Sequence, residues 1–492
     1  MDDSLPAASV LPFEHTYAQL PAKFWQRVDP TPVKAPRMLA YNDALAAELG
    51  LTRGTDAADV FAGNQVPAGA LPLAMAYAGH QFGHFVPQLG DGRAILLGEL
   101  IDRRGQRRDL QLKGAGPTAF SRNGDGRAAI GPVLREYLIS EAMHAMGVPT
   151  TRSLAAVATG EHVFREGPVP GAVLARVAAS HVRVGTFQYF AARRDTDGVR
   201  QLADHVIARH YPEAAQAPRP YLALLEAVAR RQAALVAQWQ HVGFIHGVMN
   251  TDNTTLSGET IDYGPCAFLD DYDPGKVFSS IDRAGRYSFS NQPALVRWNV
   301  ARLAETLLAV IDDDGEAALA AASAVIEAMP AWSASAWLGG MRAKLGLSTP
   351  EEGDEALAKD LLDAMHAVAA DYTLVFRALG EAAAGREPEG LLALPRSPAF
   401  DAWRARWVER MARDGTRTPA KRAAAMDAVN PAVIPRNHRV HEALQAAERG
   451  DLAPFEALLA AIRRPYDDGP DAQPYLVPPE PSQRVTQTFC GT

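Results

Sequence analysis

The segment that most constrains the fold of this 492-residue chain begins at residue 94. Ala94–Leu100 is an apolar run, Asp102–Gln106 is a polar turn, and Arg108–Lys113 alternates polar and apolar residues. An alternation with a period of two on one side of a short turn predicts a β-hairpin. Lys113 therefore lies on the second strand of this hairpin, and a glycine-rich loop follows it.

A helix is predicted after that loop, over residues 133–146, opened by a proline and closed by a glycine. A strand lysine followed by a helix glutamate is the arrangement with which kinases neutralise nucleotide phosphates. We assign these roles to Lys113 and Glu136, one turn in from the helix start, rather than to Glu141. The alternative is a surface lysine and a helix that merely carries acidic residues, because short motifs match often by chance.

Two similar glycine-rich segments flank Lys113. Gly90–Ala94 and Gly124–Ala128 both read Gly-Asp-Gly-Arg-Ala. Glycine lets backbone N–H groups approach phosphate oxygens, and arginine adds bidentate donors. Neither segment matches the P-loop or the dinucleotide-binding pattern, and Asp-Gly is also a common turn dipeptide. Ordinary turns are therefore the alternative.

A second polar group lies near the middle of the chain, after a helix predicted over 221–240. His246–Asn253 and then Asp262–Gly264 follow the order of a kinase catalytic loop and metal-binding segment. A compact hairpin predicted over 254–264 would bring Asn253 and Asp262 together, and amide and carboxylate oxygens suit Mg²⁺. Val248 stands where kinases carry the catalytic aspartate, and the carboxylate lies instead at Asp252. Ordinary turn residues are the alternative, but three elements in kinase order favour a nucleotide site.

Two arginines fall between the Lys113 region and this loop. Arg176 ends a strand predicted over 171–177, and Arg183 follows it closely. Their position in the chain makes them candidates for phosphate contacts. In an arginine-rich chain, each of them taken alone is more often a surface residue.

Several longer motifs make the chain similar to the selenoprotein O (SelO) family of pseudokinases. They span nearly the whole sequence and are Tyr77–Phe85, Gln88–Ala94, Gln111–Thr118, Ser121–Arg127, Gly247–Asn253, Ile261–Pro265 and Ile434–His438. The last of these has no role in our interpretation of the residues.

This resemblance implies an α+β, protein kinase-like bilobal fold. It also implies an enzyme that transfers AMP rather than phosphate. SelO proteins bind ATP in a flipped orientation and attach AMP to Ser, Thr or Tyr hydroxyls of proteins, releasing pyrophosphate. By position, the residues implied to bind ATP are Gly90, Gly92, Arg93, Lys113, Asp125, Gly126, Arg176, Arg183 and Asp262. Asp252 would be the general base, Asn253 and Asp262 would hold Mg²⁺, and Glu136 would pair with Lys113. The chain shows no departure from the family pattern at these positions.

The domain organisation expected from the element pattern and this resemblance has five parts. Residues 1–84 form an N-terminal extension, 85–190 a kinase-like N-lobe, and 191–300 the core of a C-lobe. Residues 301–465 are additional helices, and 466–492 are a proline-rich tail. Helical spacing predicts a helix over 38–49, short strands are predicted over 162–165 and 171–177, and the chain beyond about 295 is predicted to be mostly helical.

Three function classes remain open. The leading one is an Mg²⁺-dependent protein adenylyltransferase with ATP and protein substrates. A kinase-like phosphotransferase and an inactive nucleotide-binding scaffold are the alternatives, the scaffold being suggested by Val248. UMP transfer with Mn²⁺ is a variant of the first.

Composition limits the partners and the cellular location that we expect for the protein. A net charge of −8 argues against a nucleic acid partner, which requires a basic surface. The start of the sequence is acidic and resembles no secretory signal, and no long apolar run suggests a membrane partner, so we expect a cytoplasmic protein. The two cysteines rule out a disulfide scaffold. Cys266 follows the Asp262 motif, and Cys490 lies where some SelO proteins carry selenocysteine, so the two form a candidate redox pair.

Overall fold

The computed structural model describes residues 11–415 and 417–489. Its strands are β1 (Trp25–Arg27), β2 (Arg37–Tyr41), β3 (Leu73–Met75), β4 (Gly79–Gln81), β5 (His84–Val86), β6 (Ala94–Ile101), β7 (Arg107–Lys113), β8 (Ala128–Ala129), β9 (Arg152–Phe164), β10 (Pro168–Ala178), β11 (Phe244–Ile245) and β12 (Ala267–Phe268). Its helices are α1 (Asp43–Glu48), α2 (Ala57–Ala62), α3 (Ile130–Ala145), α4 (Val184–Ala191), α5 (Thr196–His210), α6 (Pro220–His241), α7 (Gln292–Ile311), α8 (Gly315–Lys344), α9 (Asp354–His366), α10 (Tyr372–Ala383), α11 (Pro398–Arg413), α12 (Pro419–Asp427), α13 (Asn437–Glu448), α14 (Ala453–Ile462) and α15 (Gln473–Leu476).

Within these ranges, eight strands form one antiparallel sheet. Seven follow the order β1-β3-β6-β7-β10-β9-β2, and β8 pairs with β10. The predicted hairpin is present as β6 and β7, with Ala94 opposite Lys113. On the other side of β7, Leu174 of β10 lies opposite Lys113. Lys113 therefore ends a strand that is paired on both edges, which holds its backbone rigidly.

The two faces of the sheet belong to different hydrophobic cores. Ile95 and Leu112 pack into a core with α1 and α2, whereas Leu96 and Leu174 pack into a core with α3. Successive side chains of a strand point to opposite faces, which explains this division. The helix α3 lies against β9 and β10. This packing carries Glu136 to the end of β7.

The chain after residue 295 is mostly helical, as predicted. Helices α4 to α8, α13 and α14 extend the core that contains α3. Another core, built largely from α9, α10 and α11, contains the stacked rings of Trp403 and Trp407, whose centroids are 5.6 Å apart. It also takes in Ile245 and Ala267 of the small β11–β12 ribbon.

Some local predictions were wrong. Helical spacing predicted a helix over 38–49, but Arg37–Tyr41 forms β2 and pairs with β9, so only α1 is helical there. The strands predicted over 162–165 and 171–177 are confirmed but were predicted too short, because they are parts of β9 and β10. A mixed α/β architecture with an antiparallel sheet is confirmed. The bilobal kinase-like arrangement and the division into five parts stay predictions.

The helix α8 is the only described helix with the length and mean hydropathy of a membrane span, 1.3 over its most apolar window. One such helix is weak evidence for a membrane protein, and α8 packs against α6 and α7.

Candidate functional site

A cavity of about 730 Å³ lies where the loops of the sheet meet the segment 248–264. Its volume is in the range of small-molecule sites, about 300–1,000 Å³. Every position that the sequence assigned to nucleotide, metal or base lines it: Gly90, Gly92, Arg93, Lys113, Asp125, Gly126, Glu136, Arg176, Arg183, Asp252, Asn253 and Asp262. Residues more than 170 positions apart thus face one space.

Lys113 is held by a buried glutamate at the back of the cavity. Its Nζ lies 2.6 Å from Oε2 of Glu136. Burial alone would raise the pKa of Glu136, but Lys113 and then Arg176 lower it, so the glutamate is ionised. Glu141, the other candidate, is bound elsewhere, with Oε1 2.8 Å from Nε of Arg152. The helix therefore presents Glu136, and not Glu141, to the lysine.

Asp262 is surrounded by three cations. Oδ1 lies 2.8 Å from Nζ of Lys113 and 2.6 Å from Nη1 of Arg176, and Oδ2 lies 2.7 Å from Nη1 of Arg183. Against the effect of burial, these charges hold the pKa of Asp262 well below its usual range. Its backbone has a φ of 60°, a left-handed conformation in which strain is typical of functional sites.

Both arginines are buried rather than on the surface, with about 1% and 3% of the side chain exposed. Arg176 also donates to Oε1 of Gln111 at 2.6 Å. Arg183 donates to the backbone oxygen of Asp252 at 2.7 Å, and its guanidinium lies 4.7 Å from the ring centroid of Tyr77. Their charges are therefore fixed in place before any ligand binds, which is the condition for strong electrostatic stabilisation.

Asp252 lies in a single 3₁₀ turn, Thr251–Asn253. Its Oδ2 accepts a hydrogen bond of 3.1 Å from Nε2 of Gln81. Its Oδ1 is buried and has no hydrogen-bond partner among the described residues. Burial raises the pKa of Asp252 to about 6. A carboxylate with a raised pKa and an unpaired oxygen is suited to accept a proton.

The oxygen donors beside Asp252 fit a hard divalent cation. The side chain of Asn253 donates from Nδ2 to the backbone oxygen of Val248 at 2.9 Å, which turns its amide oxygen the other way. That oxygen and the Asp262 carboxylate are the ligand type that Mg²⁺ prefers. In the described ranges, no three His, Cys, Asp or Glu side chains form a metal cluster by themselves. Such a site matches the usual Mg²⁺ pattern of one or two carboxylates completed by substrate phosphates.

The glycine-rich segments are tightly packed loops. Gly90 has a φ of 69°, and a Cβ there would lie 2.2 Å from Cγ of Phe120. Gly126 has a φ of 66°, and a Cβ there would lie 2.1 Å from the backbone oxygen of Gly116. Asp125 pairs with Arg165 at 2.9 Å. The glycines are therefore required for the close approach of these loops at the cavity wall.

The predicted hairpin over 254–264 was wrong. Thr255 forms a bridge with Arg183, and Thr260 forms a parallel bridge with Thr150. The two limbs are joined to each other through a side chain rather than by paired strands, since Oγ1 of Thr255 donates to the backbone oxygen of Glu259 at 2.7 Å. Asp252 and Asp262 are still linked, since Nη1 of Arg183 binds both.

The proposed redox pair is only partly within the described residues. Cys266 is buried and outside the cavity lining, and burial raises the pKa of its thiol to about 11. Cys490 lies outside the described residues. Thr488, two positions before it, donates from Oγ1 to the backbone oxygen of Pro265 at 2.6 Å. The described tail therefore runs beside the residue that precedes Cys266.

Three cavity residues had no assigned role in the sequence analysis. Gln81 binds Asp252, Tyr77 stacks on Arg183, and the buried Asp91 has its Oδ1 4.0 Å from Nη2 of Arg183. Burial raises the pKa of Asp91 to about 6. All three belong to the motifs Tyr77–Phe85 and Gln88–Ala94. The unusual length of these two motifs was the feature of the sequence that could have marked these residues as part of the site.

Comparison with known proteins gives a consistent result over the full length. A family model described as protein adenylyltransferase SelO matches residues 8–463. The chain is 60% identical over 487 residues to a protein nucleotidyltransferase YdiU of Bradyrhizobium sp. (strain BTAi1), covering 98% of this chain and 99% of that protein. It is 59% identical over 498 residues to a protein of the same name from Rhizobium etli (strain CIAT 652), covering 100% of this chain and 99% of that one.

Proposed function

This chain belongs to the SelO family of protein adenylyltransferases, and we propose that it transfers AMP from ATP to Ser, Thr or Tyr hydroxyls of other proteins. It is a nucleotidyltransferase. Which nucleotide it transfers, which residue accepts it and what each site residue does belong to the proposal. The observation that carries it is the shared cavity in which Asp252, with an unpaired oxygen, lies beside the Lys113–Asp262–Arg176–Arg183 cluster.

The cluster suits a triphosphate. Seven basic residues line the cavity: Arg93, Lys113, Arg122, Arg127, Arg165, Arg176 and Arg183. Five acidic residues line it, namely Asp91, Asp125, Glu136, Asp252 and Asp262. The wall is thus cationic on balance in a chain whose net charge is −8. Fixed cations favour the charge that moves onto pyrophosphate as it leaves.

In the transfer step, the acceptor oxygen forms a bond to the α-phosphorus and the bond from that phosphorus to the pyrophosphate oxygen breaks. The proton of the acceptor hydroxyl passes to Oδ1 of Asp252. A positioned base of this kind contributes about 10²–10⁴-fold to a rate. Asn253 and Asp262 would hold Mg²⁺, or Mn²⁺, which supplies further neutralisation of phosphate charge.

Two alternatives differ in their products. A phosphotransferase would move the γ-phosphate, and an inactive scaffold would bind nucleotide without turnover. The metal-type oxygens at Asn253 and Asp262 and the base-like environment of Asp252 favour an active enzyme over a scaffold, since binding alone requires neither.

Labelled nucleotides test the proposal directly. The full chain is incubated with Mg²⁺, a soluble bacterial extract as acceptor, and ATP labelled at either the α- or the γ-phosphate. We expect the α label, and not the γ label, to enter protein. Transfer of the γ label would support the phosphotransferase, and no transfer would support the scaffold. Parallel reactions with α-labelled UTP and Mn²⁺ distinguish UMP from AMP transfer.

A further inference from the structure

The motif Tyr77–Phe85 forms a small hairpin against the proposed base. Strands β4 and β5 pair in register, with Gly79 opposite Val86 and Gln81 opposite His84. The tip, Phe82 and Gly83, has φ values of 52° and 84°. The two strands carry no lysine or arginine that would bind a nucleotide phosphate. Their contacts with the turn of Asp252 therefore indicate what the hairpin does.

The hairpin is fastened to the turn that carries Asp252. The backbone N–H of His80 donates to Oγ1 of Thr251 at 2.6 Å, and Oγ1 of Thr251 donates to Oε1 of Gln188 at 2.6 Å. Nε2 of Gln188 lies 2.8 Å from Nδ1 of His80, which closes the ring. The backbone N–H of Phe82 donates to Oδ1 of Asn250 at 3.2 Å. These bonds fix the hairpin to Asn250 and Thr251, the two residues that precede the base.

Two hairpin residues touch the carboxylate itself. Nε2 of Gln81 donates to Oδ2 of Asp252 at 3.1 Å. A Cβ at Gly79 would lie 2.9 Å from Oδ1, the oxygen without a partner. Gln81 thus holds one oxygen, and the absence of a side chain at Gly79 leaves space for the other.

We propose that Gln81 is the positioning residue of the base, fixing the rotation of the Asp252 carboxylate so that Oδ1 faces the acceptor hydroxyl. The aspartate χ2 torsion is broad and roughly two-fold, so an unrestrained carboxylate samples many orientations. The hydrogen bond selects one of them. This inference rests on the proposed function, because it assumes that Asp252 receives the proton.

Substitutions at the two contacts separate positioning from nucleotide binding. Gln81→Leu keeps the approximate size of the side chain and removes the donor, and Gly79→Ala forces the carboxylate to move. Hydrogen bonds to charged groups predict a fall in kcat of about tenfold to a hundredfold for Gln81→Leu. The KM for ATP and the Kd for ATP should stay within about twofold of wild type, because Lys113, Arg176 and Arg183 are untouched. We expect Gly79→Ala to follow the same pattern.

His84→Ala is the matched control, since His84 is exposed on the same hairpin and outside the cavity lining. It should leave kcat unchanged. Initial rates of α-label incorporation at varied ATP and fixed extract, with thermal unfolding of each variant, give all of these values. A kcat within twofold of wild type for Gln81→Leu and Gly79→Ala would overturn the inference. So would a loss confined to KM for ATP, or an activity loss that parallels a fall in melting temperature.

The Asp252→Asn variant separates failure of this inference from failure of the proposed function. If wild type transfers no α label, the proposed function fails. If wild type is active and Asp252→Asn is impaired while both hairpin variants are normal, only the role of Gln81 is wrong.

Discussion

Lys113 and Asp262 are 149 positions apart in the sequence, yet Nζ of the lysine lies 2.8 Å from Oδ1 of the aspartate. Arg176 and Arg183 bind the same carboxylate. One anion therefore organises three of the cations that face the cavity. In the proposed reaction, Asp262 would exchange part of this contact for a metal ion, and the cations would then bind the nucleotide phosphates.

Asp262→Ala should abolish AMP transfer and strongly weaken metal-dependent ATP binding. The substitution removes a proposed metal ligand and the anion that orders the three cations. ATP titration calorimetry with and without Mg²⁺, alongside α-label transfer, measures both effects. Asp204→Ala is the control, because Asp204 is an exposed residue of α5. Wild-type rates in Asp262→Ala would show that this site assignment is wrong.

Asp252→Asn should separate chemistry from binding. An amide cannot take up the acceptor proton, so we expect kcat to fall by about 10²–10⁴-fold. The affinity for ATP should change little, because the contacts of Lys113 and Arg176 are preserved. Equilibrium ATP binding and initial transfer rates, measured on the same preparation, distinguish a loss of chemistry from a loss of binding. Equal losses in both quantities would place Asp252 in nucleotide binding instead of proton transfer.

Local sequence patterns predicted those parts of the site that lie within one strand or one helix. The alternation of Arg108–Lys113 predicted β7, and the start and stop signals of α3 predicted the helix of Glu136. The pattern failed at Met38–Leu49, where pairing of β2 with β9 overrides a local helical preference.

Contacts between distant segments could not be predicted in the same way. The hydrogen bond from Gln81 to Asp252 spans 171 positions, and such side-chain contacts produce no periodic signal in a sequence. The burial of Arg176 and Arg183 was likewise invisible, because an arginine is usually exposed. The residue pattern and the resemblance supplied the positions and the Lys113–Glu136 pair, whereas the partners of Asp252, Arg176 and Arg183 came only from the folded chain.

Lys344 at the end of α8 gives a prediction on stability and pH. It is buried, with Nζ 4.0 Å from the ring centroid of Phe376, and burial lowers the pKa of its amine to about 7. Between about pH 7 and the ordinary lysine pKa of about 10.4, the unfolded chain binds a proton that the native chain lacks. The contribution of Lys344 to stability therefore rises with pH in this window.

Lys344→Met should accordingly raise the midpoint of urea unfolding at pH 7, and this gain should shrink by pH 9.5. Lys359→Met, at an exposed lysine paired with Glu355, is the matched control and should shift the midpoint little at either pH. A gain that is equal at both pH values would contradict the low pKa of Lys344.

Arg436, in the motif Ile434–His438, has a structural role that the sequence did not reveal. Its Nη1 lies 2.8 Å from Oδ1 of Asp270 and 2.8 Å from Oδ2 of Asp371. The side chain of the next residue, Asn437, binds both the backbone N–H and the backbone oxygen of Phe268. The motif thus clamps β12 and the residues after it to α10 and α13.

Arg436→Met should destabilise the fold by about 3–5 kcal/mol, since it removes a fully buried guanidinium from two mostly buried carboxylates, Asp270 and Asp371. Arg436→Lys should cost less, because one ammonium group can serve both carboxylates. Urea unfolding of the two variants at pH 7 gives the comparison. Equal stability of Arg436→Met and wild type would show that the clamp contributes nothing.

The redox pair gives the last prediction. The described tail reaches Pro265 through Thr488, which also forms a bridge with Ser279, so a disulfide between Cys266 and Cys490 would tie the tail to the segment after Asp262. Glutathione disulfide would accept the two electrons and leave as two reduced glutathione molecules. Because Cys266 is buried and its thiol pKa is raised to about 11, we expect slow oxidation.

Transfer activity should then differ between oxidised and reduced protein, and Cys490→Ser and Cys266→Ser should each remove the difference. An equal response to oxidant in wild type and Cys490→Ser, or no response in wild type, would rule out this switch.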